Sequence, residues 1–193
     1  MIRFLVFLVG CGSAATPDLG GMLHQRVLFV GNSFTYVNDV PGHYHAMLQD
    51  VEVEQVTPGG YTLAQHAADA RTDGTDLARW LRTGTAEETA FDAVVLQEQS
   101  QIGGFVSWEA ARIASIAGAA DLSGLARDHG DKVVLYETWG YRNGDSSNVL
   151  LGYGSYLGMQ DHLDEGYLGL TSLLREDVQN EACLQNLFLH PCT

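Results

Sequence analysis

Four short apolar runs, each leading into a polar or glycine-bearing turn and then a helical stretch, constrain this chain more than any other feature. They are Val27-Leu28-Phe29-Val30, Val51-Glu52-Val53-Glu54-Gln55-Val56, Phe91-Asp92-Ala93-Val94-Val95-Leu96 and Lys132-Val133-Val134-Leu135-Tyr136-Glu137. Each has the length of a strand, and the second alternates with period two, as a half-exposed edge strand does. Helical patterning fills the intervals: from a cap at Asn38 or Asp39 with Pro41 early, then over 63–70, 76–81, 108–129 (with Gly118 and Gly124 as weak points) and 151–174. Strands separated by helices pair in parallel through right-handed crossovers. The expected fold is therefore α/β, a three-layer α/β/α sandwich on a parallel, flavodoxin-like sheet. With the four strands numbered along the chain, the expected order is 2-1-3-4, and residues 184–189 could add a short fifth strand.

Length and charge narrow the function classes. A chain of 193 residues with 46% hydrophobic and 18% charged residues suits one globular domain with a sizeable core. Its formal net charge of -14 repels nucleic acid and anionic membrane surfaces, so no nucleic-acid partner is expected. No apolar run approaches the roughly 20 residues that span a bilayer.

The first residues read as an export signal. Arg3 precedes the apolar stretch Phe4-Leu5-Val6-Phe7-Leu8-Val9-Gly10, which meets Cys11. Leu8-Val9-Gly10-Cys11 resembles the lipobox of bacterial lipoproteins, and that resemblance implies cleavage before Cys11 and lipidation of its thiol. Residues 1–21 would then be signal and flexible tether, 22–193 the folded domain, and the lipid the sole membrane attachment. The expected location is the periplasmic or cell-surface side of a membrane. Cys183 and Cys192, an even pair in an oxidising compartment, can form a disulfide; the alternative is two free thiols. Neither Cys-x-x-Cys nor His-Glu-x-x-His occurs, and His43 and His45 stand two apart, off a common helix face, so no metal and no cofactor are expected.

Parallel topology gathers the turns after the four strands at one rim of the sheet, where open α/β sheets bind ligands. Those turns carry Ser33, Gly59-Gly60, Gln97-Glu98-Gln99 and Trp139-Gly140-Tyr141. Acyl transfer needs a serine and N–H donors aimed at the developing oxyanion, which a glycine backbone and a side-chain amide supply. Other polar residues read blandly: Glu98 as a solvated loop carboxylate, His66 and His162 as surface positions on helices. Trp139 and Tyr141 read as rim packing, with stacking on a sugar ring as the alternative.

Val27 to Leu174 resembles the SGNH, or GDSL-type, hydrolases, in the branch whose first block reads Gly-Asn-Ser-Phe-Thr and whose third block reads Val-Leu-Gln-Glu-Gln-Ser. The resemblance implies that Ser33 is the nucleophile with its own N–H in the oxyanion hole. Gly60 is then the second donor, Gln99 the third, and Gln97 an assistant. The family's closing Asp-x-x-His block is matched only by His190-Pro191, since position 187 is Leu, so His190 is the implied base without its carboxylate. Two readings follow. One is a monomeric serine esterase or acetylesterase acting on small esters or acetylated glycans. The alternative is a catalytically impaired lipoprotein on the same fold that binds a glycan or another small ligand.

Overall fold

The computed structural model describes residues 6–9, 25–48, 50–107 and 109–189, with side chains over 25–48, 50–107 and 109–175. Its sheet contains β1 (Val6–Val9), β2 (Gln25–Val30), β3 (Val51–Val56), β4 (Ala93–Leu96) and β5 (Lys132–Tyr136), in the order β1-β5-β4-β2-β3. β2 pairs in parallel with β3 and with β4, and β4 in parallel with β5. The four parallel strands thus stand in the order 2-1-3-4 expected from the sequence, with β2 interior.

β1 is the added strand. It runs antiparallel to β5, from Val6 opposite Tyr136 to Val9 opposite Val133. A fifth strand at 184–189 does not form. Those residues close α7 (Tyr156–Leu189), because no glycine or proline interrupts the chain between Gly169 and Pro191, and a helix that has already started adds residues cheaply.

The two sheet faces are covered unequally. Leu28, Val30, Val94, Leu96, Val133 and Leu135 point to one side and pack under α3 (Leu63–Arg71), α6 (Ala110–Asp128) and the first half of α7. The close approach of α3 and α6 explains Gly118. A Cβ there would lie 2.6 Å from Ala64 N, so the residue read as a weak point is what lets two helices touch. On the opposite face Val27, Phe29 and Val51 pack under α2 (Val40–Leu48), where Tyr44 meets Phe29 edge-on with centroids 5.7 Å apart. Val134 and Tyr136 on β5 remain half-buried. Truncating a fully buried core residue such as Leu28 or Leu96 costs about 2–5 kcal/mol. This core holds the strand ends, and hence the rim, in place. Among the described residues no helix is long and apolar enough to cross a membrane.

Candidate active site

The end of β2 is buried to its last residue, so the chain leaves the sheet at Gly31 and Asn32 and immediately starts α1 (Ser33–Tyr36). Asn32 caps that helix: its Oδ1 accepts from Phe34 N at 3.1 Å, as capping asparagines do. Ser33 is the first helical residue and half-buried. Its backbone N–H makes no hydrogen bond among the described residues, so it points a free donor outward from the first turn. No described side chain hydrogen-bonds to Ser33 Oγ.

The turn is clamped from below by Gln97, which is 1% exposed. Its Oε1 accepts from Asn32 N and from Thr35 Oγ1, both at 2.9 Å, while its Nε2 donates to Asn32 Oδ1 at 3.1 Å and to Glu98 O. Gln97, the expected assistant in the oxyanion hole, here holds the Ser33 turn with both amide hydrogens engaged. The reason is burial: the side chain follows β4 into the gap under α1 and must satisfy every polar atom there.

Gln99, two residues on, contrasts with it. Its Oε1 is buried without a hydrogen-bond partner and its Nε2 has none among the described residues, leaving the carboxamide free to serve a ligand. Gly60 lies in the turn after β3 with φ +73, a left-handed conformation suited to glycine, and its N–H is also unbonded. The Gly60 loop is tied to the Ser33 turn by Asn32 Nδ2, which donates to Tyr61 O at 2.8 Å. One asparagine thus caps the helix that Ser33 begins and ties the Gly60 loop to it.

Two residues read as surface groups are buried. Glu98, also 1% exposed, accepts from Leu63 N at 3.1 Å and Gln99 N at 2.5 Å, so it anchors the start of α3 and the backbone of Gln99. Burial raises its pKa, opposed by the Ser115 hydroxyl, these N–H groups and the Arg112 guanidinium. His66 is fully buried; its Nε2 lies 2.8 Å from Gly31 O, the carbonyl just before the cap, and its ring meets Tyr61 edge-on. Burial lowers its pKa, so the neutral ring donates Nε2–H to Gly31. Neither role was visible in the sequence, because each depends on α3 crossing back beneath the rim. His162 is half-buried and stacks on Tyr153, with rings 7° from parallel.

His190, Cys11 and Cys192 lie outside the described residues. Cys183 falls in α7 where side chains are not described, so the suggested Cys183–Cys192 bridge lies outside them too. Among the described residues no group of three His, Cys, Asp or Glu side chains could hold a metal ion.

A carboxyl pair stands behind the last rim turn. Gln160 Nε2 donates to Asp164 Oδ1 at 2.6 Å and to Glu137 Oε1 at 3.3 Å, while Gln160 Oε1 accepts from Gly140 N at 3.0 Å. Burial first, and Asp164 second, push the Glu137 carboxyl up to about 8, so at neutral pH it holds a proton. The unfolded chain releases that proton near pH 4.5, so its contribution is fully present below that value and lost as pH rises through 8. Asp131, pushed up to about 6 mainly by burial, acts the same way over a lower window. Between pH 6 and 8 the melting temperature should therefore fall, and Glu137→Gln should flatten that fall. The expected change is about 1 kcal/mol, reduced by solvent screening of a half-buried group. A thermal melt series across this range, with wild type and variant side by side, checks it.

No family model matches the chain, and no curated protein does. Solved structures do. A protein from Slackia heliotrinireducens described as an SGNH hydrolase is 30% identical, over 78% of this chain and 75% of its own, with a TM-score of 0.62. A GDSL-like lipase from Bacteroides thetaiotaomicron is 14% identical over 88% of this chain and 69% of its own, TM-score 0.48. An acylhydrolase from Bacteroides fragilis is 18% identical over 87% and 68%, TM-score 0.48. With 30% identity over three quarters of the Slackia protein's length, the chain belongs to the SGNH hydrolase family.

Proposed function

We propose that the protein is a serine esterase that removes short acyl groups, acetyl above all, from small esters or glycans. The observation that carries this reading is the division of labour at the rim. Gln97 and Asn32 are fully engaged in holding the turn, while the Ser33 N–H, the Gly60 N–H and the Gln99 carboxamide are left unbonded. Unengaged donors around a serine are what an oxyanion requires. Ser33 Oγ attacks the ester carbonyl as His190 accepts its proton, and the three donors hold the oxygen that gains charge. Collapse of the tetrahedral adduct breaks the bond to the alkoxide, which takes the proton from His190. Water then repeats the sequence on the acyl-enzyme and releases the acid.

The test is direct. Purified full-length protein should hydrolyse p-nitrophenyl acetate and release acetate from an acetylated oligosaccharide. The reading that no turnover occurs, and that the rim only binds a ligand, is supported by one observation: among the described residues no base reaches Ser33 Oγ. Stoichiometric glycan binding with neither ester cleaved would favour it.

We extend the proposal to location. Leu8-Val9-Gly10-Cys11 supports export and lipidation at Cys11. Cleavage before Cys11 would detach β1 from β5, so processed and unprocessed forms differ at that sheet edge. Expressed in a bacterium, the protein should partition with membranes into detergent, and Cys11→Ser should leave it unprocessed or release it. Intact Met1 on protein recovered from the cytosol would reject this location.

A further inference from the structure

Beside the Ser33 turn, the segment after β5 opens into a depression of about 650 Å³ lined by Trp139, Gly140, Tyr141, Arg142 and Tyr156. It adjoins the nucleophile through Phe34, the residue after Ser33, whose ring lies 4.7 Å from that of Trp139, centroid to centroid. The Trp139 side chain nevertheless stays 37% exposed, and Tyr156 is exposed too. This is no loose surface. Gly140 N is held by Gln160, Tyr141 N faces Met159 Sδ at 3.2 Å, and Tyr141 OH bonds with Ser100 Oγ at 2.6 Å and Gln101 Oε1 at 3.1 Å.

Among the described residues Arg142 is the only cation lining the depression, and it makes no hydrogen bond or ion pair with any of them. In a chain of net charge -14, where Arg26, Arg71, Arg79 and Arg82 all have carboxylate partners, an unpaired arginine beside an exposed indole stands out. Of the two carboxyl groups that share Gln160 with Gly140, Glu137 is held protonated by its surroundings and so adds no repelling charge at neutral pH. A flat aromatic face recognises the C–H face of a pyranose ring, and a free guanidinium recognises a carboxylate with two parallel hydrogen bonds.

We infer that this depression is a saccharide subsite for an acidic sugar, a hexuronic acid whose ring stacks on Trp139 and whose carboxylate meets Arg142. The inference rests on the esterase reading and gives it a substrate class: acetylated polyuronides. Acetylated oligogalacturonides and acetylated xylo-oligosaccharides, offered to the full-length protein, should differ in kcat/KM by roughly 10-fold in favour of the acidic substrate, the effect of one solvent-accessible charged hydrogen-bonded pair. Arg142→Gln should bring that ratio close to one, Arg142→Lys should restore part of it, and 0.5 M salt should shrink it, about what screening at a short Debye length produces. A wild-type ratio near one, or an Arg142→Gln variant that keeps the wild-type ratio, overturns the inference.

Failure of the esterase reading is distinguished by two further measurements. If neither glycan nor p-nitrophenyl acetate is cleaved, calorimetric titration with de-esterified oligogalacturonide decides the subsite alone. Binding by wild type that Arg142→Gln weakens roughly 10-fold sustains it, and absence of binding by wild type overturns it.

Discussion

Ser33→Ala should abolish hydrolysis of p-nitrophenyl acetate while leaving the fold intact. Removing a serine nucleophile lowers kcat by roughly 10⁴ to 10⁶, leaving only what an oxyanion hole and binding provide. Ser33 Oγ has no hydrogen bond among the described residues, so its loss leaves no buried partner unsatisfied. Alanine also suits the first turn of a helix, and the melting temperature should move by no more than about 0.5 kcal/mol implies. His190→Ala should reduce turnover nearly as far if that residue is the base. Gln99→Ala should cost roughly 10² to 10³, the usual effect of deleting one oxyanion donor. Each variant is read by steady-state kinetics alongside a thermal melt. Activity that survives Ser33→Ala would belong to another site, and the rim would then be a binding surface.

The parts of the fold that burial on both faces dictates were legible in the sequence. Val27 to Val30 and Ala93 to Leu96 are apolar without alternation because helices cover both sides of the sheet there, and their intervals fixed parallel pairing and the order of the four strands. Short apolar runs at the two ends were ambiguous. Residues 6–9 meet the same compositional demands as the core of an export signal, and 184–189 could be strand or helix by periodicity alone. The absence of a breaker after Gly169 was the signal that decided the second case.

The candidate site was legible where chemistry is local. Asn32 before Ser33 is a capping residue in a capping position, and Gly60 sits in a turn that requires positive φ. It was illegible where tertiary crossing decides. Gln97, Glu98 and Gln99 are consecutive polar residues of similar size, yet of the two amides only that of Gln99 is left unengaged. The first two are buried because α1 and α3 close over them, and one sequence cannot say which of three neighbours a helix will cover.

Gln97 therefore makes the second large prediction. Its carboxamide accepts two hydrogen bonds and donates two while buried, so Gln97→Ala orphans Asn32 N, Thr35 Oγ1 and one acceptor lone pair on Asn32 Oδ1. At about 1–3 kcal/mol for each buried group left unsatisfied, with water entering the gap to relieve part of it, the expected loss of stability is about 2–4 kcal/mol. For a domain of this size that is a drop of roughly 5–15 °C in melting temperature. Gln97→Glu separates shape from hydrogen bonding. It keeps both acceptor contacts but turns the donor end into a carboxylate oxygen facing Asn32 Oδ1 and Glu98 O, beside a second buried acid. It should be at least as destabilising as alanine at pH 8 and recover in part at pH 5, where the new carboxyl can carry a proton. Well below either melting temperature, kcat should still fall by roughly 10- to 100-fold, since a Ser33 turn displaced by even 1 Å loses its alignment with the donors. Wild-type turnover in a destabilised Gln97→Ala variant would show that the clamp serves the fold alone, and that Ser33 is positioned by the α1 cap without it.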